Sequence, residues 1–325
     1  MREMTYTAAA LEGLTEEMER DPTIFVVGEG IGARGGNFGT TVGLYDRFGP
    51  ERLRDTPITE RGFTGLCTGA AMTGARPIVD YMFIDFGLDG LGELLNQTAK
   101  IQYMSDGRLK MPIVLRGCIG IGNSAATHHS GSYYSVFTHF PGFKVVVPTT
   151  PYDAKGLLKA AIRSDDPVVF MEHRSVLNVK GPVPEEEYFI PFGQARIARE
   201  GTNATVVAIA GMVGRTLAAC DGLAAEGISI EVIDPRTLVP FDIDAVLASV
   251  HKTGRLLIVD EDYSPCGLAS EIGMQVMERG FDDLDAPVAR LTGAQTPVPY
   301  SAPLEGAIIP NAQTIAQAIR VLLAA

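Results

Sequence analysis

The chain has 325 residues, of which 46% are hydrophobic, with 27 Lys+Arg set against 39 Asp+Glu. That length predicts about two domains, each able to bury a core without disulfides or a structural metal, and the apolar fraction excludes a mainly disordered chain. A formal net charge of -12 argues against a nucleic-acid binder or a partner for anionic lipid, since both need a basic face.

The N-terminal stretch MREMTYTAAALEG lacks the apolar centre of a secretory signal. No apolar run approaches the roughly 20 residues that span a bilayer. Cys67, Cys118, Cys220 and Cys266 lie far apart without a C-x-x-C pair. They read as reduced thiols of a cytoplasmic protein rather than a disulfide framework or a zinc site.

Leu11, Leu14 and Met18 share one helical face, and Asp21-Pro22 stops that helix. Ile24–Val27 reads as a buried strand, followed by a glycine-rich loop from Gly28 to Gly43. Arg52–Ile58 is extended, and Thr59–Gly74 is a helix rich in small residues that Thr59 can cap. A strand at Pro77–Ile84, a helix at Leu88–Met104 and a strand at Ile113–Arg116 come next. A polar loop then carries His128 and His129. Lys144–Val147, Ala154–Arg163 and Val168–Glu172 give strand, helix, strand. This alternation is the signature of a parallel α/β sheet.

Composition shifts after Arg174: Val179–Gly193 carries three prolines and Glu185-Glu186-Glu187. The expected division is a first domain over 1–178, a linker over 179–195 and a second domain over 196–325. In the second, strands fit Thr205–Ala210, Ser229–Ile233 and Arg255–Val259. Helices fit Thr216–Glu226, Ile243–Val250, Ala269–Arg279 and Gln313–Leu323.

Gly28-Glu29-Gly30-Ile31-Gly32-Ala33 fits G-x-G-x-x-A after a strand, the form of a dinucleotide pyrophosphate turn. The context differs: Arg34-Gly35-Gly36-Asn37-Phe38-Gly39 stands where a helix should begin. A flexible glycine loop at the carboxyl end of a strand is the alternative, and such loops line ligand clefts. Glu60 has two readings, as an acid favouring a helix dipole or as a functional carboxylate. His128 and His129 are either acid–base groups or solvated loop residues. A metal site built from this adjacent pair is disfavoured, because no H-x-x-x-H or H-E-x-x-H occurs. His139, His173 and His251 read as structural or surface residues, and neither a G-x-S-x-G elbow nor a Walker loop is present.

Motifs spread along almost the whole chain carry a resemblance. They are Val27-Gly28-Glu29, Asp55-Thr56-Pro57-Ile58-Thr59-Glu60-Arg61-Gly62-Phe63 and Gly69-Ala70-Ala71-Met72-Thr73-Gly74-Ala75-Arg76-Pro77. Others are His129-Ser130, Pro141-Gly142-Phe143-Lys144-Val145-Val146-Val147-Pro148, Leu291-Thr292-Gly293-Ala294 and Thr296-Pro297-Val298-Pro299. The chain resembles the β subunit of the thiamine-diphosphate-dependent E1 component of 2-oxo acid dehydrogenase complexes. It looks most similar to acetoin dehydrogenase β subunits, through Phe83-Ile84-Asp85-Phe86, Phe170-Met171-Glu172-His173 and Ile190-Pro191-Phe192-Gly193. The resemblance implies two three-layer α/β/α domains of transketolase-like fold, a pyrimidine-binding domain followed by a transketolase C-terminal domain.

It also implies roles. Glu60 is the carboxylic group bonded to the pyrimidine N1′, the contact that drives the cofactor's aminopyrimidine to its imino tautomer and so yields the thiazolium C2 carbanion. Met82 and Phe86 lie against the pyrimidine ring. Glu29 is a glutamate near the cofactor that helps proton movement between paired sites. His129 contacts substrate and supports acyl transfer to a lipoyl arm, with His128 where the family usually has Gln. The diphosphate needs Mg²⁺ and a G-D-G motif, and this chain has none. An α subunit must therefore hold both, which implies an α2β2 heterotetramer. A structural K⁺ of the family maps to Ile113, Ala161, Ile162, Ser164 and Asp166.

Two departures stand out: Gly92-Glu93 replaces the usual Asp-Gln, and Gly131 replaces a Gln after His-Ser. The implied activity is cleavage of a 2-oxo acid or acetoin, with the fragment passed to lipoamide on an E2 core. An acidic face including Glu261, Asp262, Asp282, Asp283 and Asp285 would suit docking of a basic E2 segment, or simply be solvated. The alternative activity is a two-subunit thiamine-diphosphate acyltransferase or carboligase that works without E2. A non-catalytic scaffold subunit is a third reading, opposed by the presence of both Glu60 and His129.

Overall fold

The computed structural model describes residues 1–325, which divide into two compact units. The first comprises Met1–Ile119 and Val136–Phe192; the second comprises Gly120–Ser135 and Gly193–Ala325. The histidine loop therefore groups with the C-terminal unit, although the strand before it belongs to the first.

In the first unit Arg2–Thr5 (β1) leads into Tyr6–Arg20 (α1), whose Thr5 hydroxyl accepts the Ala8 N–H at 3.2 Å as an N-cap. Six parallel strands follow: Ile24–Gly28 (β2), Leu53–Asp55 (β3), Arg76–Phe83 (β4), Val114–Ile119 (β5), Lys144–Val146 (β6) and Val168–His173 (β7). They lie in the order β6-β7-β5-β4-β2-β3. Five of the six strands have no exposed residue, as expected when both faces of a parallel sheet are covered. The short helix Leu44–Phe48 (α2) closes the glycine-rich loop, and Glu60–Met72 (α3) follows β3. Thr59 precedes α3, but its hydroxyl makes no capping bond, contrary to the sequence expectation. Its φ of -157° and ψ of 58° turn the side chain away from the geometry a cap needs.

The single helix expected at Leu88–Met104 is instead broken. Ile84–Gly87 (α4) passes through one 3₁₀ turn into Leu91–Glu93 (α5), then a π-helical stretch at Leu94–Thr98, and ends in Ile101–Met104 (α6). The π turn is visible as the Ala99 N–H bonding back five residues to Leu94. Thr98 assists it by donating to the Glu93 carbonyl at 3.2 Å. After Tyr134–His139 (α7), Pro151–Arg163 (α8) packs against α1 through Ala10, Leu14, Met18, Ala154, Leu157, Leu158 and Ile162. Lys180–Val183 (β8), inside the stretch expected as linker, pairs antiparallel with β1.

The second unit has a five-stranded sheet of Arg196–Arg199 (β9), Ala204–Ala208 (β10), Ile230–Asp234 (β11), Leu256–Tyr263 (β13) and Ala289–Gly293 (β14), ordered β14-β13-β10-β11-β9. Only β9 is antiparallel. A short strand, Thr237–Val239 (β12), also belongs to this part of the chain. The helices are Met212–Ala224 (α9), Ile243–Thr253 (α10), Leu268–Gly280 (α11), Ala302–Ala307 (α12) and Ala312–Leu323 (α13). Asp242 caps α10, and Asn311 with Thr314 forms a capping box on α13. The core joins Val206, Ala208, Val232, Leu257 and Val259 to Leu223, Ile315 and Ile319 of the covering helices. No helix is long and apolar enough to cross a membrane.

Candidate functional site

Open parallel sheets bind ligands beyond the carboxyl ends of their strands. Gly28 at the end of β2 aligns with Asp55 of β3 on one side and Asp80 of β4 on the other. Glu29 follows β2 directly, Glu60 opens α3 just after β3, Met82 sits near the end of β4, and Phe86 lies in α4 beyond it. Four of the expected site residues therefore share one edge of the first unit's sheet.

Close packing builds this edge. A Cβ on Gly28 would fall 2.3 Å from the Asp80 carbonyl oxygen, so only glycine allows the strands to approach there. The Asp80 carboxylate, itself buried, accepts from the Thr40 hydroxyl at 2.8 Å and from the Met82 N–H at 2.9 Å. Asp55 accepts from the Gly32 N–H at 3.1 Å. The glycine-rich loop is thus pinned to the strand ends. Its G-x-G-x-x-A run turns back on itself through Gly36 to Gly30 and Thr41 to Gly35 bonds, and no helix starts from it. Met82 adopts φ 65°, left-handed for a non-glycine residue, where the β4–β5 register shifts. The Asn37 amide reaches its sulfur.

Glu60 is 8% exposed, and no donor of the chain reaches its carboxylate. Burying a carboxylate without a donor is costly, so this group is suited to a hydrogen-bonding ligand. Glu29 is close enough to feel it: burial, and then the Glu60 charge, raise the Glu29 pKa above the ordinary carboxylate range. Tyr81 lies behind them, bonded to the Thr64 hydroxyl at 2.6 Å, with burial as the main cause of its raised pKa. Phe83 forms edge-to-face pairs with Phe38 at 5.1 Å and Phe86 at 6.0 Å, and Arg174 lies 5.3 Å above its ring. This gives an apolar aromatic shelf beside a pair of acids. Asp80, Asn37, Phe38, Phe83 and Arg174 belong to the site's framework and were missed by sequence reasoning; only the positions of Asp80 and Phe83 beside Met82 gave a signal.

Two departures have local causes. Glu93 packs toward α3, its carboxylate 3.6 Å from where a Cβ on Gly65 would stand. Gly131 leaves room for the Tyr133 ring, which a Cβ at 131 would strike at 1.7 Å.

His128 and His129 end a short 3₁₀ turn at Thr127–His129 in the second unit. His128 is exposed and His129 half-buried. The turn is anchored by Thr127 donating to the Val298 carbonyl at 3.0 Å and Ser130 donating to the Ala126 carbonyl at 2.6 Å. The acidic face expected to include Glu261 and Asp262 does not contain them. They are 2% and 9% exposed and bond to Ser132 and Ser135, because β13 carries them into the interior.

The carbonyls of Ile162 and Ser164, implied for K⁺, both accept from the Arg76 guanidinium at 3.0 Å. The Ile113 carbonyl accepts from the Val168 N–H, the Ala161 carbonyl from the Ser164 N–H, and Asp166 binds Lys144. Each of these oxygens thus has a hydrogen-bond or ion-pair partner within the chain. No group of three or more His, Cys, Asp or Glu is arranged to hold a metal.

Residues 2–180 match the family model described as "Transketolase, pyrimidine binding domain", and residues 193–315 match "Transketolase, C-terminal domain". An acetoin:2,6-dichlorophenolindophenol oxidoreductase subunit beta of Cupriavidus necator is 44% identical, covering 98% of this chain and 97% of the relative. The chain belongs to the transketolase-like E1 β-subunit family. Pyruvate dehydrogenase E1 component subunit beta-2 of Oryza sativa is 43% identical over 98% of this chain and 86% of its own length. The 2-oxoisovalerate dehydrogenase subunit beta of Bacillus subtilis is 42% identical over 99% of both. A solved structure titled "Split gene transketolase, inactive beta4 tetramer" shares the fold at TM-score 0.80 with 20% identity, covering 99% of this chain and 98% of that one. The E1 β relatives differ in their named substrates while their identities to this chain span only 42 to 44%, so overall likeness does not choose among them. The transketolase-like family is thiamine-diphosphate dependent. The donor-free Glu60 carboxylate and the neighbouring aromatic shelf fit an aminopyrimidine ring.

Proposed function

We propose that the chain is the β half of a thiamine-diphosphate-dependent E1 enzyme that cleaves a 2-oxo acid or acetoin and passes the acyl or hydroxyalkyl fragment to lipoamide on an E2 core. The observation that carries this is Glu60: a buried carboxylate at the carboxyl edge of a parallel sheet, with no donor in its own chain and an acid of raised pKa beside it. When bound, thiamine diphosphate supplies a nucleophilic thiazolium carbon that adds to the substrate carbonyl. Glu60 would hold a proton at the pyrimidine N1′, and Met82 and Phe86 would orient that ring. Glu29, with its raised pKa, would store and return a proton at the same edge. His129 would contact substrate and support acyl transfer. An α subunit would supply the diphosphate and Mg²⁺ ligands in an α2β2 assembly. We place the complex in the cytoplasm, in keeping with four cysteines that form no disulfide.

Glu60→Gln keeps the size of the side chain and removes its acid function. We expect turnover with the α partner to fall by about 100-fold or more, the scale of lost general acid–base work, while the complex assembles normally. Artificial-acceptor reduction, compared across pyruvate, branched-chain 2-oxo acids, 2-oxoglutarate and acetoin, measures this. Near-normal turnover would remove Glu60 from its role. His129→Ala should chiefly lose acylation of a lipoyl domain, and an unchanged rate with that acceptor would count against the assignment.

One observation favours a second reading, an E2-independent acyltransferase or carboligase. The Tyr133 ring occupies the space beside Gly131 that a side chain in place of this glycine would need. Lipoyl-domain acylation separates the two readings, because only the first requires it.

A further inference from the structure

Nine non-glycine residues of the chain have positive φ, and four of them fall in the sixteen residues of Gly120–Ser135. They are Asn123 at 59°, Ser124 at 52°, Ala126 at 61° and Tyr133 at 43°. Such backbone persists only where the surroundings over-determine it. Here the surroundings are buried acids of the C-terminal unit.

Strand β13 is apolar through Val259 and then carries Asp260, Glu261 and Asp262, which are 1%, 2% and 9% exposed. Each acid binds the loop. Asp260 accepts from the Tyr134 hydroxyl. Glu261 accepts from the Ser132 hydroxyl at 2.8 Å and from the Ile121 N–H at 3.4 Å. Asp262 accepts from the Ser135 hydroxyl at 2.9 Å. From α12, buried Glu305 accepts the Ser124 N–H at 3.2 Å.

Three successive buried acids oppose folding unless something compensates them. The parallel ladder of β13 with β10 runs only to Val259, so the sheet's pairing there does not require these acids. The register with β14 shifts between Val259 and Tyr263, and a Cβ on Gly293 would fall 2.2 Å from the Glu261 carbonyl. The strand end is thus shaped to turn its carboxylates onto the loop. Along the loop lies a cavity of 460 Å³ lined by Thr127, Ser130, Tyr133, Tyr263 and Thr296, so the loop's conformation also sets the cavity's shape.

We infer that Asp260, Glu261, Asp262 and Glu305 are positioning residues for acyl transfer: they hold Gly120–Ser135 in its strained form and thereby fix His129. This inference rests on the function proposed above.

The test uses the intact complex with its α partner, thiamine diphosphate and Mg²⁺. Three readouts are compared: artificial-acceptor reduction, lipoyl-domain acylation and amide hydrogen exchange along the chain. The variants are Glu261→Gln, Glu305→Gln and the milder Ser132→Ala, which removes one hydrogen bond and no charge. Lipoyl acylation should fall about tenfold or more relative to artificial-acceptor reduction, since small misplacements of a reacting group have effects of that order. Exchange should accelerate within 120–135 and stay unchanged elsewhere. Unchanged exchange in that segment overturns the inference whatever the activities do. Faster exchange with an unaltered ratio of the two activities overturns the positioning role, and so does accelerated exchange throughout the chain, which marks general destabilisation. A wild-type complex that reduces the artificial acceptor but never acylates a lipoyl domain sinks both the lipoyl reading and the acyl-transfer role drawn from it; the exchange data then report only on the loop's conformation.

Discussion

Two glutamates face the same edge of the first unit, and they differ in what surrounds them. Glu60 is enclosed at the start of α3, whereas Glu29 sits half-buried in the glycine-rich loop and carries a raised pKa from burial and from the Glu60 charge. A raised carboxyl pKa has a definite consequence for stability. Below the ordinary carboxylate range both folded and unfolded Glu29 are protonated, and no penalty exists. As pH rises toward the raised value, the unfolded chain ionises first and the folded state loses stability. Glu29→Gln carries no charge at any pH and escapes this loss. The difference in Tm between Glu29→Gln and wild type should therefore grow in the variant's favour as pH rises through and above the ordinary carboxylate range, then level off. Thermal unfolding at a series of pH values measures it, and a pH-independent difference would show that Glu29 feels no such field.

At the level of elements, the glycine-rich loop, β2 and β4 behave as one unit because Gly28 lets the strands meet and Asp80 ties both Thr40 and Met82. Gly28→Ala places a methyl group 2.3 Å from the Asp80 carbonyl. The strands must separate, at a cost of about 1–3 kcal/mol typical of overpacking, and the tie to Met82 should loosen with them. Urea unfolding of the variant should show that loss, and an unchanged midpoint would mean the edge tolerates the displacement. These ties also explain what the sequence could convey. Strands such as Ile24–Gly28 were legible because a short apolar run set between Asp21-Pro22 and a glycine-rich loop is too short for a helix and suits a buried strand. The helix expected over Leu88–Met104 was not, because its apolar spacing says nothing of a π turn at Leu94–Thr98. Nor did Thr59 reveal that it leaves the cap unmade.

Across the whole molecule, the order of motifs along the chain was enough to assign the family, since almost every segment contributes one. What stayed hidden was long-range. No local signal tells that Gly120–Ser135 joins the C-terminal unit, or that Asp260, Glu261 and Asp262 turn inward to meet it at a separation of about 130 residues, by the lengths of the contacts between Ser132 and Glu261 and between Ser135 and Asp262. Glu261 and Asp262, read as surface charge in a chain of net charge -12, are interior groups, and Asp260 beside them is buried as well. The same view bears on the cofactor. The chain contributes a pyrimidine-binding unit but no G-D-G motif, so on the proposed reading it holds one end of thiamine diphosphate and leaves the other to its partner. A ligand that binds only the folded state stabilises it by RT ln(1 + [L]/Kd), about 2.7 kcal/mol at a hundredfold excess over Kd. With thiamine diphosphate and Mg²⁺ added, the isolated chain should unfold at an almost unchanged temperature. The complex with its α partner should unfold several degrees higher than without them. Scanning calorimetry on both preparations decides it. A rise of equal size in the isolated chain would mean that this chain holds the diphosphate by itself.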